Sequence, residues 1–234
     1  MDLFDLHCDT ITVCSSKNLE LRRNDLHISL ERLPAGSRWG QAFAIFVPDE
    51  LRGEKAVEFF RENVRFFRAE MEKNADRIVQ ASDYQEIMQA FDNGKFAAIL
   101  TVEGGAALGG QLEMLDELRN CGVRMLTLTW NGENELGSGS DTHKGLTPFG
   151  IEAVRRMEEL GIWWMYPTSM TRVLPISARW RPSPLSLPIP TAGPSATTPG
   201  TSPMNSSVPS GTGAVWWGST ITATLLKRTA FRRI

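Results

Sequence analysis

The stretch Phe96-Ala-Ala-Ile-Leu-Thr-Val102 decides the fold class of this chain of 234 residues. It is an uninterrupted apolar run bounded by Gly94 and Gly104, which is typical of a strand that is buried on both faces in a parallel sheet. Further strands are predicted before residue 162, at residues 3–7, 41–47 and 123–129.

Helical segments alternate with these strands. Apolar residues recur at three- and four-residue steps through residues 55–73, which predicts an amphipathic helix. Ser82 is predicted to cap a second helix that has Glu86 in its first turns. Two more helices are predicted at residues 111–120 and 150–160. The alternation of strands and helices predicts a parallel α/β fold.

The residues at the end of the first strand distinguish between two kinds of parallel α/β fold. A doubly wound sheet usually has a Gly-rich turn there, whereas this chain has His7-Cys8-Asp9. We therefore predict a TIM-like (β/α)8 barrel, whose active site lies at the carboxyl ends of the strands. A complete barrel takes about 250 residues. The strands recognisable before Ile162 therefore make up about the first half of a barrel.

Composition divides the chain at residue 162. All 27 acidic residues and 18 of the 25 Lys and Arg lie in residues 1–162, which gives that part a net charge of −9. Residues 163–234 have seven Lys and Arg, no acid and ten of the 13 Pro. Dense Pro disfavours helices and central strands. We therefore predict a half-barrel domain over residues 1–162 and an irregular, disordered tail over residues 163–234.

Charge, hydropathy and cysteine usage exclude several classes of protein. A net charge of −2 argues against an electrostatic nucleic-acid binder. No apolar run reaches the roughly 18 residues that a transmembrane helix needs, and residues 1–5 have no basic region typical of a secretory signal. The three Cys form neither a disulfide framework nor a zinc-knuckle pattern. We expect a cytoplasmic protein with no membrane segment.

Residues at two strand ends are candidates for metal binding. His7 and Asp9 are two residues apart at the end of the first strand, so both side chains are expected on the inner face while Cys8 points towards the helices. Glu103 follows the strand at residues 96–102. Imidazole and carboxylate groups are zinc ligands, although a hydrogen-bonded His–Asp pair and a surface Glu in a turn explain the same residues.

Trp130 and the two remaining His residues are weaker candidates. Trp130 follows the strand at residues 123–129, where it either lines a pocket or plugs the barrel rim. His27 and His143 lie in polar, turn-rich sequence and are expected to be solvated.

Taken together, these motifs resemble the membrane dipeptidase (renal dipeptidase, peptidase M19) family over residues 1–162. Their joint order and spacing carry the resemblance. The matching words are Asp5-Leu-His-Cys-Asp-Thr10, Gly40-Gln-Ala-Phe43, Val102-Glu-Gly-Gly105, Leu126-Thr-Leu-Thr-Trp-Asn131 and Gly145-Leu-Thr-Pro-Phe-Gly150.

The resemblance implies a dipeptidase with two zinc ions on a TIM-like barrel. His7 and Asp9 match ligands of one ion, and Glu103 matches the carboxylate that bridges both ions, which makes it the candidate catalytic residue. Family substrates are dipeptides, including ones with a D-residue at the C-terminal position. Some relatives have a substrate-contacting His at the position of Trp130, which is therefore the candidate substrate-binding residue. A homodimer is an open option for intact family members.

Ligands of the second zinc ion are missing from the sequence. The family places two His ligands after the next two strands, together with a substrate-binding Arg and a late acid. Residues 163–234 contain no His, Asp or Glu. We therefore expect this chain to be a truncated family member that is inactive. Because half a barrel leaves two strand edges unpaired and its interior unburied, we also expect it to be poorly soluble or partly folded.

A lost base explains the tail. Residues 163–166, Trp-Trp-Met-Tyr, are encoded by TGG TGG ATG TAY, and read one base earlier these bases give x-Val-Asp-Val. The next strand of the family ends in Val-Asp-Val-Ser-His, and that His is a zinc ligand. We hypothesise that one base was lost near codons 162–163, so that residues 163–234 are an out-of-frame translation. The alternative is a genuine low-complexity tail rich in Pro, Ser and Thr.

Two other classes of protein stay open on the sequence. One is another metal-dependent barrel hydrolase, such as an amidohydrolase-type deaminase, although those usually open with H-x-H rather than H-x-D. The other is a non-catalytic remnant that keeps a partial metal site. Metal content distinguishes a remnant from an enzyme with a complete site, because a complete site holds about two zinc ions per chain and a remnant holds one or none.

Overall fold

The computed structural model describes residues 2–142, 144–167 and 187–189. In these residues the strands are β1 Asp2–Cys8, β2 Arg38–Phe46, β3 Ile78–Gln80, β4 Phe96–Glu103, β5 Val123–Thr127, β6 Trp163–Pro167 and β7 Leu187–Ile189. The helices are α1 Thr10–Lys17, α2 Glu54–Lys73, α3 Tyr84–Asp92, α4 Met114–Asn120 and α5 Pro148–Leu160. A short 3-10 helix, Gly105–Leu108, follows β4. No helix in this part of the chain has the length and apolar character needed to cross a membrane.

The strands form one parallel sheet. Their order is β1-β2-β4-β5-β6-β7, and β3 pairs with the first residues of β4. Every strand pair is parallel, and helices lie in the connections from β1 to β2, from β2 to β4, from β4 to β5 and from β5 to β6. The sheet curls into about the first half of a TIM-like barrel, which confirms the fold class predicted from the sequence.

The side of the sheet that faces helices α1, α2, α4 and α5, the helix side, forms the main core. The even-numbered residues of β4 from Phe96 to Val102 lie on this side, and none is more than 5% exposed. Phe67 of α2 packs against Phe43 of β2, with ring centroids 6.2 Å apart. Burial of these side chains supplies most of the free energy that holds helices and strands together.

The inner side of the sheet carries a smaller apolar cluster. Ala42, Ala97, Ile99 and Met125 lie in it, and Ile87 of α3 packs against them. Helix α3 contacts β2 and β4. The inner side is therefore apolar near the amino ends of these strands, and polar residues occupy it only towards the carboxyl ends.

The structure corrects the start of helix α3. The prediction that Ser82 caps this helix is wrong by one residue, because the Asp83 side chain accepts a hydrogen bond from the Glu86 backbone N–H at 2.8 Å. The Ser82 backbone N–H instead donates to Glu86 Oε2 at 2.6 Å. The two residues share a reciprocal capping arrangement with Glu86.

The sheet continues past residue 162. Strand β6 pairs with β5, and Trp164 is only 5% exposed on the helix side. Five residues that composition assigned to the tail therefore form a strand, because aromatic and apolar side chains suit a half-buried pleated surface. The remainder of the predicted tail, residues 168–186 and 190–234, lies outside the described residues, and so does the prediction that it is disordered.

Candidate metal centre

Three strand-end residues converge at one edge of the sheet. His7 is the penultimate residue of β1, Asp9 lies between β1 and α1, and Glu103 is the last residue of β4. The strands β1, β2 and β4 are parallel neighbours, so their carboxyl ends lie at the same edge. The structure thereby brings together the three residues that the sequence singled out.

A bulge in β1 sets the direction of the His7 side chain. Between Asp5 and Cys8, β1 has one residue more than the paired segment of β2. The His7 backbone N–H donates to Asp5 Oδ1 at 3.2 Å within this bulge. Beyond it Cys8 is buried in the helix-side core, as predicted. Because alternate residues of a strand face opposite sides, His7 and Asp9 face away from the helices.

The polar atoms of the three side chains lie close together. His7 Nε2 is 3.2 Å from Glu103 Oε2 and 3.4 Å from Asp9 Oδ1. One ligand atom from each residue lies within 4.8 Å of the others, and within residues 2–142, 144–167 and 187–189 no other group of three such residues converges in this way. The Glu103 side chain is 15% exposed, whereas His7 and Asp9 are 43% and 48% exposed. Solvent therefore reaches the group past His7 and Asp9.

The carboxylates of the group favour positive charge at His7. Burial lowers the pKa of His7, but hydrogen bonds to Asp9 and Glu103, with the negative charge of both groups, outweigh burial and raise the pKa to about 10. The two carboxylates thus create a local environment that stabilises a cation.

The donor set fits a divalent metal ion. An imidazole nitrogen and two carboxylate oxygens are the ligand types of catalytic zinc sites, which have three protein ligands and leave a position for water. His7, Asp9 and Glu103 would hold the ion. The strands behind His7 and Glu103 fix the backbone positions of these two ligands.

Trp130 borders this group from the loop that follows β5. Its ring meets the ring of Phe46 edge-on, with centroids 4.9 Å apart and an interplanar angle of 79°. Phe46 is the neighbour of Glu103 in the β2–β4 register, so the aromatic pair lies at the strand end that holds Glu103. Trp130 is 39% exposed, which is more than a buried plug of the barrel rim would be.

Sequence reasoning missed two residues near the group. Phe46 was predicted only as part of the strand at residues 41–47, and Asp49 follows that strand by two residues, although an aromatic residue and an acid at a strand end are a signal for a site. His27 is exposed, as predicted. The prediction for His143 lies outside the described residues.

Comparisons with known proteins give relatives of the same kind. The model of the family described as membrane dipeptidase (peptidase family M19) matches residues 1–165. The dipeptidase verJ of Clonostachys rogersoniana is 28% identical over 150 residues, and the dipeptidase tcpJ of Claviceps purpurea (strain 20.1) is 27% identical over 150 residues. Each alignment covers 58% of this chain but only 39% and 35% of the two relatives. The chain therefore spans little more than a third of their length.

Solved structures share the fold. A metallopeptidase from Rhodobacter sphaeroides, liganded with a phosphinate mimic of the dipeptide L-Ala-D-Ala, matches with a TM-score of 0.70 at 21% identity, over 79% of this chain and 63% of that one. The dipeptidase AC, a metallopeptidase of family M19, matches with a TM-score of 0.69 at 22% identity, over 80% of this chain and 60% of that one. At this identity the likeness concerns the fold, which is the half-barrel described above.

Proposed function

This chain belongs to the membrane dipeptidase family, peptidase family M19, and from that premise we propose that its site is the metal centre of a zinc-dependent dipeptidase. The observation that carries the proposal is the convergence of His7, Asp9 and Glu103, with one ligand atom of each within 4.8 Å of the others. The family resemblance assigns one zinc ion to His7 and Asp9 and a bridge between two ions to Glu103.

The residues of the chain hold and orient the reacting groups. Zinc, when bound, supplies the Lewis acidity that activates water and polarises a peptide carbonyl. Glu103 is the proposed catalytic residue, because its carboxylate would hold zinc at the reacting centre. Its low exposure at the end of a buried strand restricts its orientation, which preorganises the site.

Dipeptides are the proposed substrates. A solved relative is liganded with a mimic of L-Ala-D-Ala, which agrees with the expectation that dipeptides with a D-residue at the C-terminal position are accepted. Trp130 is the proposed substrate-binding residue, since its exposed ring borders Glu103 through Phe46. A flat aromatic ring contacts substrate through its face, whereas a His at that position would donate a hydrogen bond.

Among the residues that the structure describes, His7, Asp9 and Glu103 are the converging donors for one metal ion. Residues 163–234 contain no His, Asp or Glu, so the tail has no residue that can serve as a His ligand of a second ion. We propose that a base was lost near codons 162–163, that the product is truncated relative to the family, and that it hydrolyses no dipeptide. In this proposal the chain is a member of the dipeptidase family and also a non-catalytic remnant with a partial metal site.

Metal content and hydrolysis test the proposal together. We expect the purified chain to bind about one zinc ion and to leave L-Ala-D-Ala intact, whereas a chain with one base restored at codons 162–163 binds about two and hydrolyses it. Zinc-dependent hydrolysis by the 234-residue product would contradict the truncation. A restored chain that hydrolyses cyclic amides but no dipeptide would contradict the dipeptidase assignment in favour of another barrel amidohydrolase.

Resequencing the gene tests the lost base directly. An unbroken frame of 234 codons, found in independent reads and in related strains, would exclude it. Cytoplasmic localisation, low solubility of the truncated product and a homodimer of the intact enzyme stay predictions. Cell fractionation and sedimentation of both chains measure all three.

A further inference from the structure

The loops that follow β2 and β5 are bonded to each other beside the metal centre. The Gly132 backbone N–H donates to Asp49 Oδ2 at 3.0 Å, and Arg52 Nη2 donates to the Glu133 carbonyl oxygen at 2.6 Å. These two contacts, which we call the clamp, join residues that are about eighty positions apart in the chain.

The clamp spans the end of strand β4. In the sheet β4 lies between β2 and β5, so a contact between the loops of β2 and β5 crosses the edge where Glu103 lies. Trp130 is two residues before Gly132 and contacts Phe46, the last residue of β2. The ring contact and the clamp therefore hold the same short segment against the β2 side.

The backbone of Trp130 is also held from within its own loop. The Ser140 N–H donates to the Trp130 carbonyl oxygen at 2.9 Å, and Ser140 Oγ donates to Asn131 Oδ1 at 2.7 Å. The clamp connects this segment by hydrogen bonds to the loop that follows β2. An exposed ring on such a segment keeps its position through its backbone contacts rather than through burial.

Gly132 admits the carboxylate at close range. A Cβ atom on this residue would lie 3.2 to 3.4 Å from three side-chain atoms of Asp49. Such contacts are tighter than ordinary van der Waals separations, so a larger residue would push Asp49 away. The pair is matched sterically as well as by hydrogen bonding.

We propose that Asp49 is a positioning residue that holds Trp130 beside the metal centre. This inference rests on the proposed function, because Trp130 matters there only as a wall of the dipeptide site. Asp49 touches neither metal nor substrate in this assignment. Its ionised carboxylate accepts the Gly132 N–H in a charge-assisted hydrogen bond, which is stronger than a neutral one.

Fluorine NMR on the full 234-residue chain tests the proposal without any activity. The protein is labelled with 5-fluorotryptophan, the Trp130 signal is identified by its loss in Trp130→Phe, and Co²⁺ is added to the metal centre. Bound Co²⁺ shifts nearby signals, so the shift of the Trp130 fluorine reports how Trp130 is placed relative to His7 and Glu103. Hydrogen exchange of the Gly132 amide reports the clamp itself.

Three variants separate positioning from general stability. In Asp49→Ala we expect the cobalt-induced shift of Trp130 to fall by more than about half and the Gly132 amide to exchange about 10-fold faster. Asp49→Asn keeps an acceptor oxygen and should restore most of both. Asp76→Ala removes another surface carboxylate, the partner of Arg22, and should change neither.

The outcomes distinguish this inference from the proposed function. If Asp49→Ala retains the full shift and the slow exchange, or if Asp49→Asn loses as much as Asp49→Ala, Asp49 does not position Trp130. If the unsubstituted chain gives no visible absorption of bound Co²⁺, the metal centre is wrong, and the role of Asp49 beside it falls with it. Bound Co²⁺ without dependence on Asp49 overturns the positioning role alone.

Discussion

The two faces of strand β4 carry residues of different kinds. On the helix side, Leu100 and Val102 are at most 1% exposed in the main core. On the inner side, Ile99 is buried in the small cluster, Thr101 donates to the Phe43 carbonyl oxygen at 3.2 Å, and Glu103 reaches the metal centre. The alternation of a strand thus places packing on one face and chemistry on the other.

This arrangement separates stability from metal binding within one strand. A side chain on the helix side contributes through apolar burial, which changes little when a metal ion binds. A side chain at the carboxyl end of the inner face contributes ligand atoms, and solvent partly covers it. Substitutions on the two faces should therefore change different measured quantities.

The largest effect on folding is expected on the helix side. Leu100→Ala should lower the free energy of unfolding by about 2 to 5 kcal/mol, because it removes buried methyl groups and leaves a cavity. Urea denaturation of the soluble protein measures this value. Leu100→Met, which keeps the volume, should cost less than about 1.5 kcal/mol. A loss below about 1 kcal/mol in Leu100→Ala would mean that this face is not closely packed.

The largest effect on metal binding is expected at the other end of the strand. Glu103→Gln should weaken zinc binding by at least about 100-fold, since even residues behind the ligands of a zinc site change affinity by about 10- to 100-fold. Any change in its free energy of unfolding comes from the lost contact with His7 and not from apolar burial. Competition with a chromogenic chelator measures the affinity.

The matched control is Glu133→Gln, which alters an exposed acid that pairs with Lys144 of the same loop. Zinc affinity should be unchanged in this variant. Equal losses in the two variants would show that net charge, and not ligation by Glu103, attracts the ion.

The smallest effect is expected at the start of helix α3, away from both faces of β4. Asp83→Ala should lower the free energy of unfolding by about 1 kcal/mol, because the Glu86 N–H loses its acceptor. Ser82→Ala should change it by less than about 0.5 kcal/mol. The same denaturation experiment compares both, and a larger loss in Ser82→Ala would restore the cap predicted from the sequence.

Elements with strong periodicity were predictable, whereas two short elements with weak patterns, α1 and β3, were not. The spacing of apolar residues predicts α2 almost to its ends, and the apolar run of β4 is complete in the sequence. Helix α1 has eight residues and a weak pattern, and β3 has three. In α1, Ile11 is fully buried and Thr12 Oγ1 donates to the Ala44 carbonyl oxygen at 3.0 Å. Contacts of this kind with a distant strand are not encoded in local spacing.

The candidate site likewise has residues that were predictable from the sequence and contacts that were not. His7, Asp9 and Glu103 were identifiable because each stands at the end of a predicted strand, and parallel strands bring their carboxyl ends to one edge. The contact of Trp130 with Phe46 and the bond from Gly132 to Asp49 were not identifiable, since the first joins a loop to the end of a distant strand and the second joins two irregular loops. The sequence shows that Asp49 follows a strand but does not show that Gly132 is its hydrogen-bond partner.

The sequence by itself determined the alternation of strands and helices, the break in composition at residue 162 and the three ligand candidates. These features depend on residue type and local spacing, which the backbone converts directly into strand faces and strand ends. Only the tertiary structure decided that the loops after β2 and β5 meet over Glu103, and that β6 extends the sheet beyond residue 162. Such contacts depend on how separate elements pack, because their energy comes from neighbours that are distant in the chain.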